Sequence, residues 1–305
     1  MLVQGAQYFF QFKSYQKHQD HYCALSENGE QNKLANSWFE TNTVDYWRHE
    51  RMYQTIDPIL NSYPNSCWVT VGDGRYGTDA HYIQEKGLDV LATDISDLLL
   101  KESKQKGFIQ KFEKQNAESL TFKDNQFDFA FCKEAYHHFP RPMISLYEML
   151  RVSKKGVILL EPNDEYISQT IPSILFSFIK NILKRILGKK IIAHDFEETG
   201  NYVFTISQRE IVKVALGMNL KTIAFKGIND KYCEGAEFER LSTKSKLFLR
   251  IRLLITLFDL LTKLKLRQPS LLTAIIFKEA PSKDTIQKLI EVGYLVQDLP
   301  KNPYI

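Results

Sequence analysis

Two adjacent histidines and a nearby carboxylate are the side chains of this sequence best suited to move a proton. Glu134, His137 and His138 follow an apolar run, 127–132, which has the length of a buried strand. Imidazole titrates near neutral pH, so a histidine beyond a strand end can accept a proton from a reacting group. These three residues are the catalytic candidates; the alternative is that the histidine pair only shapes its loop or contacts a ligand.

A glycine-rich turn earlier in the sequence indicates a site for an adenosine-containing cofactor. A short apolar run leads into Gly72, Gly74 and Gly77, and a second run, 88–93, ends on Asp94. Glycines let the backbone approach a ligand, and a carboxylate at the next strand tip can accept the hydroxyls of a ribose. The spacing matches a dinucleotide fingerprint. The same turn also serves S-adenosylmethionine, so the glycines alone leave two cofactors open.

Strands and helices must position these residues, and their alternation predicts an α/β fold. Apolar runs and helical patterns follow one another from residue 66 to residue 162, as in a doubly wound, Rossmann-like parallel sheet with helices on both faces. Ligands of such sheets bind beyond the carboxyl ends of the strands. We expect the segments at five strand ends to form one rim: 72–77, Asp94, 116–118, 133–138 and 161–164.

Further motifs follow the glycine turn in order. They are the acidic strand tip at Asp94, Asn-Ala-Glu-x-Leu-x-Phe at 116–122, Phe-Asp-x-x-x-Cys at 127–132, His-His-Phe-x-x-Pro at 137–142 and Leu-Arg-Val-x-x-x-Gly at 150–156. Together they resemble class I S-adenosylmethionine-dependent methyltransferases, and most closely the type 11 branch. The resemblance covers about residues 66–162. It implies a seven-stranded, mostly parallel sheet with an antiparallel last strand, S-adenosylmethionine as cofactor, and methyl transfer as the reaction.

The resemblance also implies roles for the rim residues. The backbone at Gly72 and Gly74 would lie against the methionine part of the cofactor, and Asp94 would bind the ribose hydroxyls. Asn116 would accept from the adenine amino group, because its amide oxygen can replace the acid that the family often has there. The other residues expected to bind cofactor are Asp73, Gly77, Ile95, Ala117, Glu118 and Lys133.

Two positions depart from the family pattern. Thr70 stands where the family usually has an acidic residue, and Tyr76 stands where the third glycine usually falls. We expect Asp73 to supply the missing carboxylate. The departures leave open a cofactor-binding or scaffolding relative without catalysis, and the glycine spacing leaves open a nicotinamide-dependent oxidoreductase.

The segment after the fifth predicted strand is expected to line the acceptor pocket, as it commonly does in this class. Its substrate-binding candidates are His194, Glu198, Asn201 and Tyr202. The acceptor would be a small molecule or a glycan, including a lipid-linked sugar. No residue near His194 has metal-ligand spacing, so no metal is expected.

The chain divides into an N-terminal helical cover (1–65), a methyltransferase domain (66–280), and a C-terminal helix and tail (281–305). Helical insertions at about 171–192 and 244–267 each have an apolar and a basic face. Such helices either lie on a membrane surface or pack against the core or a second copy of the chain in a homodimer. The pattern leaves these alternatives open.

The composition is that of a globular protein with localised positive charge. Of 305 residues, 44% are hydrophobic and 25% are charged. Residues 173–192 carry a net charge of +5 and residues 244–267 carry +6, which leaves −7 for the rest of a chain of net charge +4. This distribution does not indicate nucleic-acid binding. Four scattered cysteines and the lack of a signal or membrane-spanning run favour a cytoplasmic protein, at most peripheral to the inner face of a membrane.

Overall fold

Eight strands form one sheet in the structure, a computed structural model that describes residues 2–26, 30–164, 170–186, 196 and 201–304. The strands are β1 (Cys67–Val71), β2 (Asp89–Asp94), β3 (Phe112–Lys114), β4 (Phe127–Lys133), β5 (Ser153–Pro162), β6 (Thr222–Ile228), β7 (Leu271–Phe277) and β8 (Leu295–Asp298). Their spatial order is β3-β2-β1-β4-β5-β7-β6-β8. The first five pair in parallel, and β7 runs antiparallel between β5 and β6.

This arrangement confirms the predicted Rossmann-like sheet, in which the seventh strand is inserted antiparallel, but the predicted number of strands was one too low. The additional strand, β8, lies in the segment expected to be a tail and pairs antiparallel with β6. It is only four residues long, and its sequence mixes apolar and polar residues. A strand this short at the edge of a sheet leaves little pattern to recognise.

Helices flank the sheet and precede it. Those described are α1 (Leu2–Ser26), α2 (Glu30–Ser37), α3 (Val44–Tyr53), α4 (Asp57–Ser62), α5 (Thr78–Glu85), α6 (Leu98–Gln105), α7 (Pro142–Val152), α8 (Ile171–Ile186), α9 (Gln208–Gly217), α10 (Lys246–Lys263) and α11 (Lys283–Glu291). A 3₁₀ turn, Tyr136–His138, follows β4. Within the described part of the chain, no helix is long and apolar enough to cross a membrane.

The core lies on both faces of the sheet because successive side chains of a strand point to opposite faces. In β1, Val69 and Val71 pack into the cluster that includes Leu146 of α7. Trp68 packs on the other face, in the cluster that includes Ile83 of α5. These clusters fix the strands in position, so the residues that follow β1, β2 and β4 meet at one edge.

Candidate active site

A cavity of about 550 Å³ lies at the carboxyl edge of the sheet, within the size range of ligand pockets. Ten of the thirteen residues predicted to bind cofactor or act in catalysis line it: Gly72, Asp73, Asp94, Ile95, Asn116, Ala117, Glu118, Lys133, Glu134 and His138. The described lining does not include Gly74, Gly77 or His137. The structure therefore brings together the ends of the first four strands at this cavity, whereas the fifth segment expected at the rim, 161–164, is not part of its described lining.

The glycine turn is packed so closely that side chains would collide with its neighbours. Gly72 has a φ of +81°, and a Cβ there would lie 2.5 Å from the Cβ of Ala135. A Cβ on Gly74 would overlap the Tyr22 ring and lie 2.8 Å from Cγ of Asp94. Gly77 differs, because its neighbours are Ile109 and Leu100 of the core. The absence of a side chain at Gly72 thus keeps the turn compact at the cavity, and at Gly74 it lets Tyr22 and Asp94 approach the backbone, whereas Gly77 lets the chain enter α5.

Asp94, at the end of β2, is a buried carboxyl group in the cavity wall. Its Oδ1 accepts a hydrogen bond from the backbone N–H of Ser96 at 2.8 Å. Burial raises the pKa of Asp94 to about 7, against the opposing effect of backbone N–H donors that include those of Ser96 and Gly74. Asp94 is therefore near its titration midpoint at neutral pH, and ligand hydroxyl donors would favour the ionised form.

The turn after β3 carries two further predicted residues. Asn116 Oδ1 accepts from the backbone N–H of Glu118 at 2.9 Å, and an amide oxygen has a second lone pair for a ligand donor. The Glu118 carboxylate accepts from the Tyr15 hydroxyl and from Nε of Arg141, each at 2.7 Å. Glu118 therefore joins this turn to α1 and to the start of α7.

Asp73, which we expect to supply the missing family carboxylate, is buried between the end of β1 and the start of α5. Thr70 donates its hydroxyl to Asp73 Oδ2 at 2.8 Å. The backbone N–H groups of Asp79 and Ala80 donate to the same carboxylate at 3.1 and 2.9 Å. Burial, and then the charge of Asp79, raise the pKa of Asp73 well above its usual range. The carboxyl group thus ties the end of β1 to the first turn of α5.

Lys133 and Glu134 belong to a cluster of charged groups at the end of β4. Lys133 Nζ lies 3.5 Å from Asp79 Oδ1 and 3.6 Å from Glu134 Oε2. Glu134 also lies 3.6 Å from Nδ1 of His49. Burial alone would raise the pKa of Glu134, but Lys133 and Arg75 outweigh it and lower the net value. Glu134 is therefore an ionised carboxylate and a weak proton acceptor at neutral pH.

The two adjacent histidines have different surroundings, although their ring centroids are only 3.9 Å apart. His137 Nδ1 lies 2.6 Å from Oε2 of Glu161 at the end of β5, and Glu161 is fully buried. Glu161 Oε1 also accepts the backbone N–H groups of Ala135 and Tyr136, each at 3.0 Å. His137 is thus held with its own turn against β5, whereas His138 lines the cavity.

Helix α1 forms the wall of the cavity opposite the strand ends, and we call this helix the roof. The roof residues that line the cavity are Tyr15, His18, His21, Tyr22 and Leu25. The residues of α1 show no clear aliphatic helical period, because this face is polar and aromatic. The signal that could have revealed it is the recurrence of tyrosine, histidine and leucine every three or four residues.

Tyr22 lies closest to the glycine turn. Its hydroxyl lies over Gly74, and burial, followed by the Asp94 charge, raises the pKa of Tyr22 well above its usual range. The phenol is therefore neutral at physiological pH. Tyr22 lies where the resemblance implied cofactor, so the roof residue and a ligand share this end of the cavity.

The substrate-binding candidates fall in different places. Asn201 is fully buried, and its Nδ2 donates to the carbonyl oxygen of His138 at 2.7 Å and lies 3.0 Å from Nε2 of His18. It thereby joins the turn after β4 to the roof. Tyr202 is exposed and packs edge to face with Phe196. His194 and Glu198 lie outside the described residues.

Comparison with known proteins identifies the central domain. Residues 69–160 match the model of a methyltransferase domain family, type 11. A search of curated proteins found no match. Among solved structures, a methyltransferase of Methanosarcina mazei is 19% identical (73% of this chain, 98% of that chain, TM-score 0.45). One of Archaeoglobus fulgidus is 13% identical (75% and 94%, TM-score 0.46), and magnesium protoporphyrin IX methyltransferase of Synechocystis, solved with S-adenosylhomocysteine, is 14% identical (84% and 93%, TM-score 0.44).

The residues of the cavity fit S-adenosylmethionine. A buried carboxyl group at Asp94 and an amide oxygen at Asn116 line one cavity beside a glycine turn that has no room for side chains. The matched segment runs from β1 through most of β5, and so contains the strand ends that meet at this cavity. This match does not favour the nicotinamide-dependent alternative. The chain is therefore a class I S-adenosylmethionine-dependent methyltransferase, and its residues 69–160 belong to the type 11 kind of domain.

Proposed function

We propose that this enzyme methylates a hydroxyl group of a small-molecule or glycan acceptor that enters between the strand ends and α1. The observation that carries the proposal is that His138 lines the same cavity as Asp94 and Asn116. S-adenosylmethionine supplies a methyl group already activated as a sulfonium. The protein has to align donor and acceptor and to take the proton that a hydroxyl releases. Imidazole suits that role at neutral pH.

The two walls of the cavity support a division of roles. Asp94, Asn116 and the glycine turn offer acceptors and open backbone for a nucleoside. Facing them, His18 and Tyr15 of the roof present polar groups that can hydrogen-bond a hydroxylated acceptor. A cavity of about 550 Å³ has to hold both the cofactor and the reacting group. This favours a small acceptor, or the terminal sugar of a larger one.

His138 is the strongest of the three catalytic candidates. Glu134 has a lowered pKa, because Lys133 and Arg75 outweigh its burial, so it holds a proton poorly at neutral pH. His137 is bonded to Glu161 and acts as a positioning residue, since it fixes the turn from which His138 reaches the cavity.

The test begins with the identity of the ligands. Native mass spectrometry of protein purified from cells should show bound S-adenosylhomocysteine and can reveal a bound acceptor. Calorimetric titration should show binding of S-adenosylhomocysteine and none of NADH. Methyl transfer from labelled S-adenosylmethionine is then measured against panels of hydroxylated small molecules, glycans and amines. Labelling of amines alone would contradict the proposed acceptor.

Substitution of the histidines tests the proton acceptor. His138→Ala should lower kcat by at least about 100-fold, the usual range for loss of a general base, while the Kd of S-adenosylhomocysteine changes little. His81→Ala is the matched control, because that ring stacks on Phe108 outside the cavity lining. Equal losses of turnover and cofactor affinity in His138→Ala would assign this residue a structural role.

A further inference from the structure

Helix α10 has two apolar faces, and only one of them packs against the protein. Phe248, Ile251 and Ile255 are buried in a cluster with Val44 of α3. Five leucines form the other face and are exposed: Leu249, Leu253, Leu257, Leu260 and Leu264. They recur every three or four residues and so form one stripe along the helix, opposite the buried face. Leu253 is 69% exposed, so the stripe has no partner within the described chain.

Helix α8 adds a second exposed apolar face. The exposed side chains include Ile171, Ile174, Leu175, Phe178, Ile179 and Ile182. Ile171 is 84% exposed and Phe178 is 62% exposed. Monomeric proteins rarely present so many large apolar side chains together, and such patches usually mark a site of interaction.

The start of α8 and the end of α10 lie close together at the edge of the sheet that holds the cavity. The Thr170 hydroxyl, just before α8, donates to the carbonyl oxygen of Lys265, just after α10, at 2.7 Å. The ends of the adjoining strands are also paired, because Pro162 of β5 lies opposite Leu271 of β7. We call the exposed apolar side chains of both helices the α8–α10 surface.

Basic residues border the α8–α10 surface. On α10, Arg250 lies on one side of the leucine stripe, and Arg252 and Lys263 lie on the other, as helical spacing requires. Asp259 is the one acidic residue of that helix and bonds Nδ2 of Asn229 at 2.9 Å. In sequence, residues 173–192 carry five basic residues and no acidic ones. The α10 part of the apolar surface thus has a positively charged border.

We propose that the α8–α10 surface docks on a membrane that contains anionic lipids. Leucine, isoleucine and phenylalanine side chains would enter the headgroup and acyl boundary, while arginine and lysine pair with anionic headgroups. A second copy of this chain fits the surface less well. In a two-fold contact the same patch meets itself, which would bring the basic borders together. The proposal does not depend on the acceptor or on His138.

The test is sedimentation of the full chain with lipid vesicles. Binding to vesicles of phosphatidylcholine with phosphatidylserine should be at least about tenfold tighter than to phosphatidylcholine alone, and should weaken as salt rises. The double variant Leu253→Glu with Leu257→Glu should lose about tenfold or more of this affinity. Leu216→Glu, at an exposed leucine of α9, is the matched control and should bind as the unchanged protein does.

A second double variant, Arg250→Glu with Lys263→Glu, keeps the apolar stripe and tests the charge alone. It should lose the preference for phosphatidylserine. Titration with S-adenosylhomocysteine verifies that each variant is folded, and this readout is separate from lipid binding. Absence of binding to anionic vesicles, or unchanged binding of both double variants, would overturn the proposal. So would a dimer in analytical ultracentrifugation that the leucine substitutions convert to monomer.

Discussion

The two walls of the cavity are built in different ways. The wall at the strand ends is set by parallel backbone pairing, in which Val71 of β1 lies opposite Thr93 of β2. The roof is joined to it by side chains from distant parts of the sequence: Tyr15 donates to Glu118, and Asn201 lies between His138 and His18. Backbone pairing within a sheet is held by the whole core, whereas a few side-chain bonds exchange readily with water. We therefore expect the ends of β1, β2 and β3 to determine cofactor affinity, and the contacts between the roof and the turn that carries His138 to influence ligand exchange and turnover.

The largest effect should come from the glycine turn. Gly74→Ala places a methyl group against the Tyr22 ring and Asp94. We expect the affinity for S-adenosylhomocysteine to fall about 100-fold, which corresponds to the upper part of the roughly 1–3 kcal/mol that overpacking at a close contact costs. Titration calorimetry measures this affinity. In the control, Gly217→Ala, the added carbon meets nothing within 4 Å, and affinity should not change. An unchanged affinity of Gly74→Ala would show that cofactor does not approach this turn.

The next effect concerns the charge of Asp94. Asp94→Asn should weaken S-adenosylhomocysteine binding about 30-fold, since hydrogen bonds to a charged group contribute roughly 1.5–3 kcal/mol. The pKa of Asp94 is raised to about 7 by burial, and ribose hydroxyls would bind the ionised form. In the unchanged protein, affinity should therefore rise as pH increases through about 7 and then level off. The Asn variant should lack this step, and a step of equal size in both proteins would assign it to another group.

The same group should affect stability with the opposite sign. The pKa of Asp94 is higher in the folded protein than its ordinary value, so the ligand-free folded state binds a proton more tightly than the unfolded state. The contribution of Asp94 to stability is therefore greatest at low pH and declines between about pH 4 and pH 7. At pH 8, Asp94→Asn should melt at a higher temperature than the unchanged protein, in contrast to its lower ligand affinity. Differential scanning calorimetry without ligand would test this.

A smaller effect on turnover is expected at Asn201, which connects the turn after β4 to the roof. Asn201→Asp removes the amide donor that His138 and His18 contact. It should lower kcat about fivefold, in the range of one lost hydrogen bond, with little change in cofactor affinity. Asn163→Asp is the matched control, because it also removes a hydrogen bond from a side-chain amide to a backbone carbonyl oxygen, in this case that of Pro269. A loss of cofactor affinity larger than the loss of turnover would remove the distinction between the two walls.

The strand ends could be predicted from sequence because parallel strands place the residue after each strand at one edge. Asp94 and Asn116 needed only that rule to be brought together. The two histidines needed more. They are adjacent in one 3₁₀ turn, and the buried carboxylate of Glu161, about 25 residues later in the chain, binds His137 and leaves His138 at the cavity. Nothing local in the sequence distinguishes them.

A helical cover is predicted from the sequence for residues 1–65, but the residues of α1 that face the cavity are not. Helical periodicity is recognised by aliphatic residues that face a core, but the inner face of α1 covers a polar cavity and includes His18 and Tyr22. The leucine stripe of α10 is also not evident from the sequence. That helix is apolar on two faces, so its pattern does not show which face is buried.

The smallest effect is expected at Tyr22 of the roof. Its direction distinguishes a roof that competes with the cofactor from a roof that binds the cofactor. The Tyr22 hydroxyl lies over Gly74 near Asp94, where it takes space that ribose hydroxyls would use. Tyr22→Phe should therefore bind S-adenosylhomocysteine about threefold more tightly, chiefly through faster association, as expected when a ligand no longer displaces a weak contact. Stopped-flow fluorescence can follow this, because Trp38 lines the cavity. Tyr304→Phe, at an exposed residue near the C-terminus, is the control. Weaker binding by Tyr22→Phe would instead show that this hydroxyl contacts the cofactor, and the roof would then share the role assigned to the strand ends.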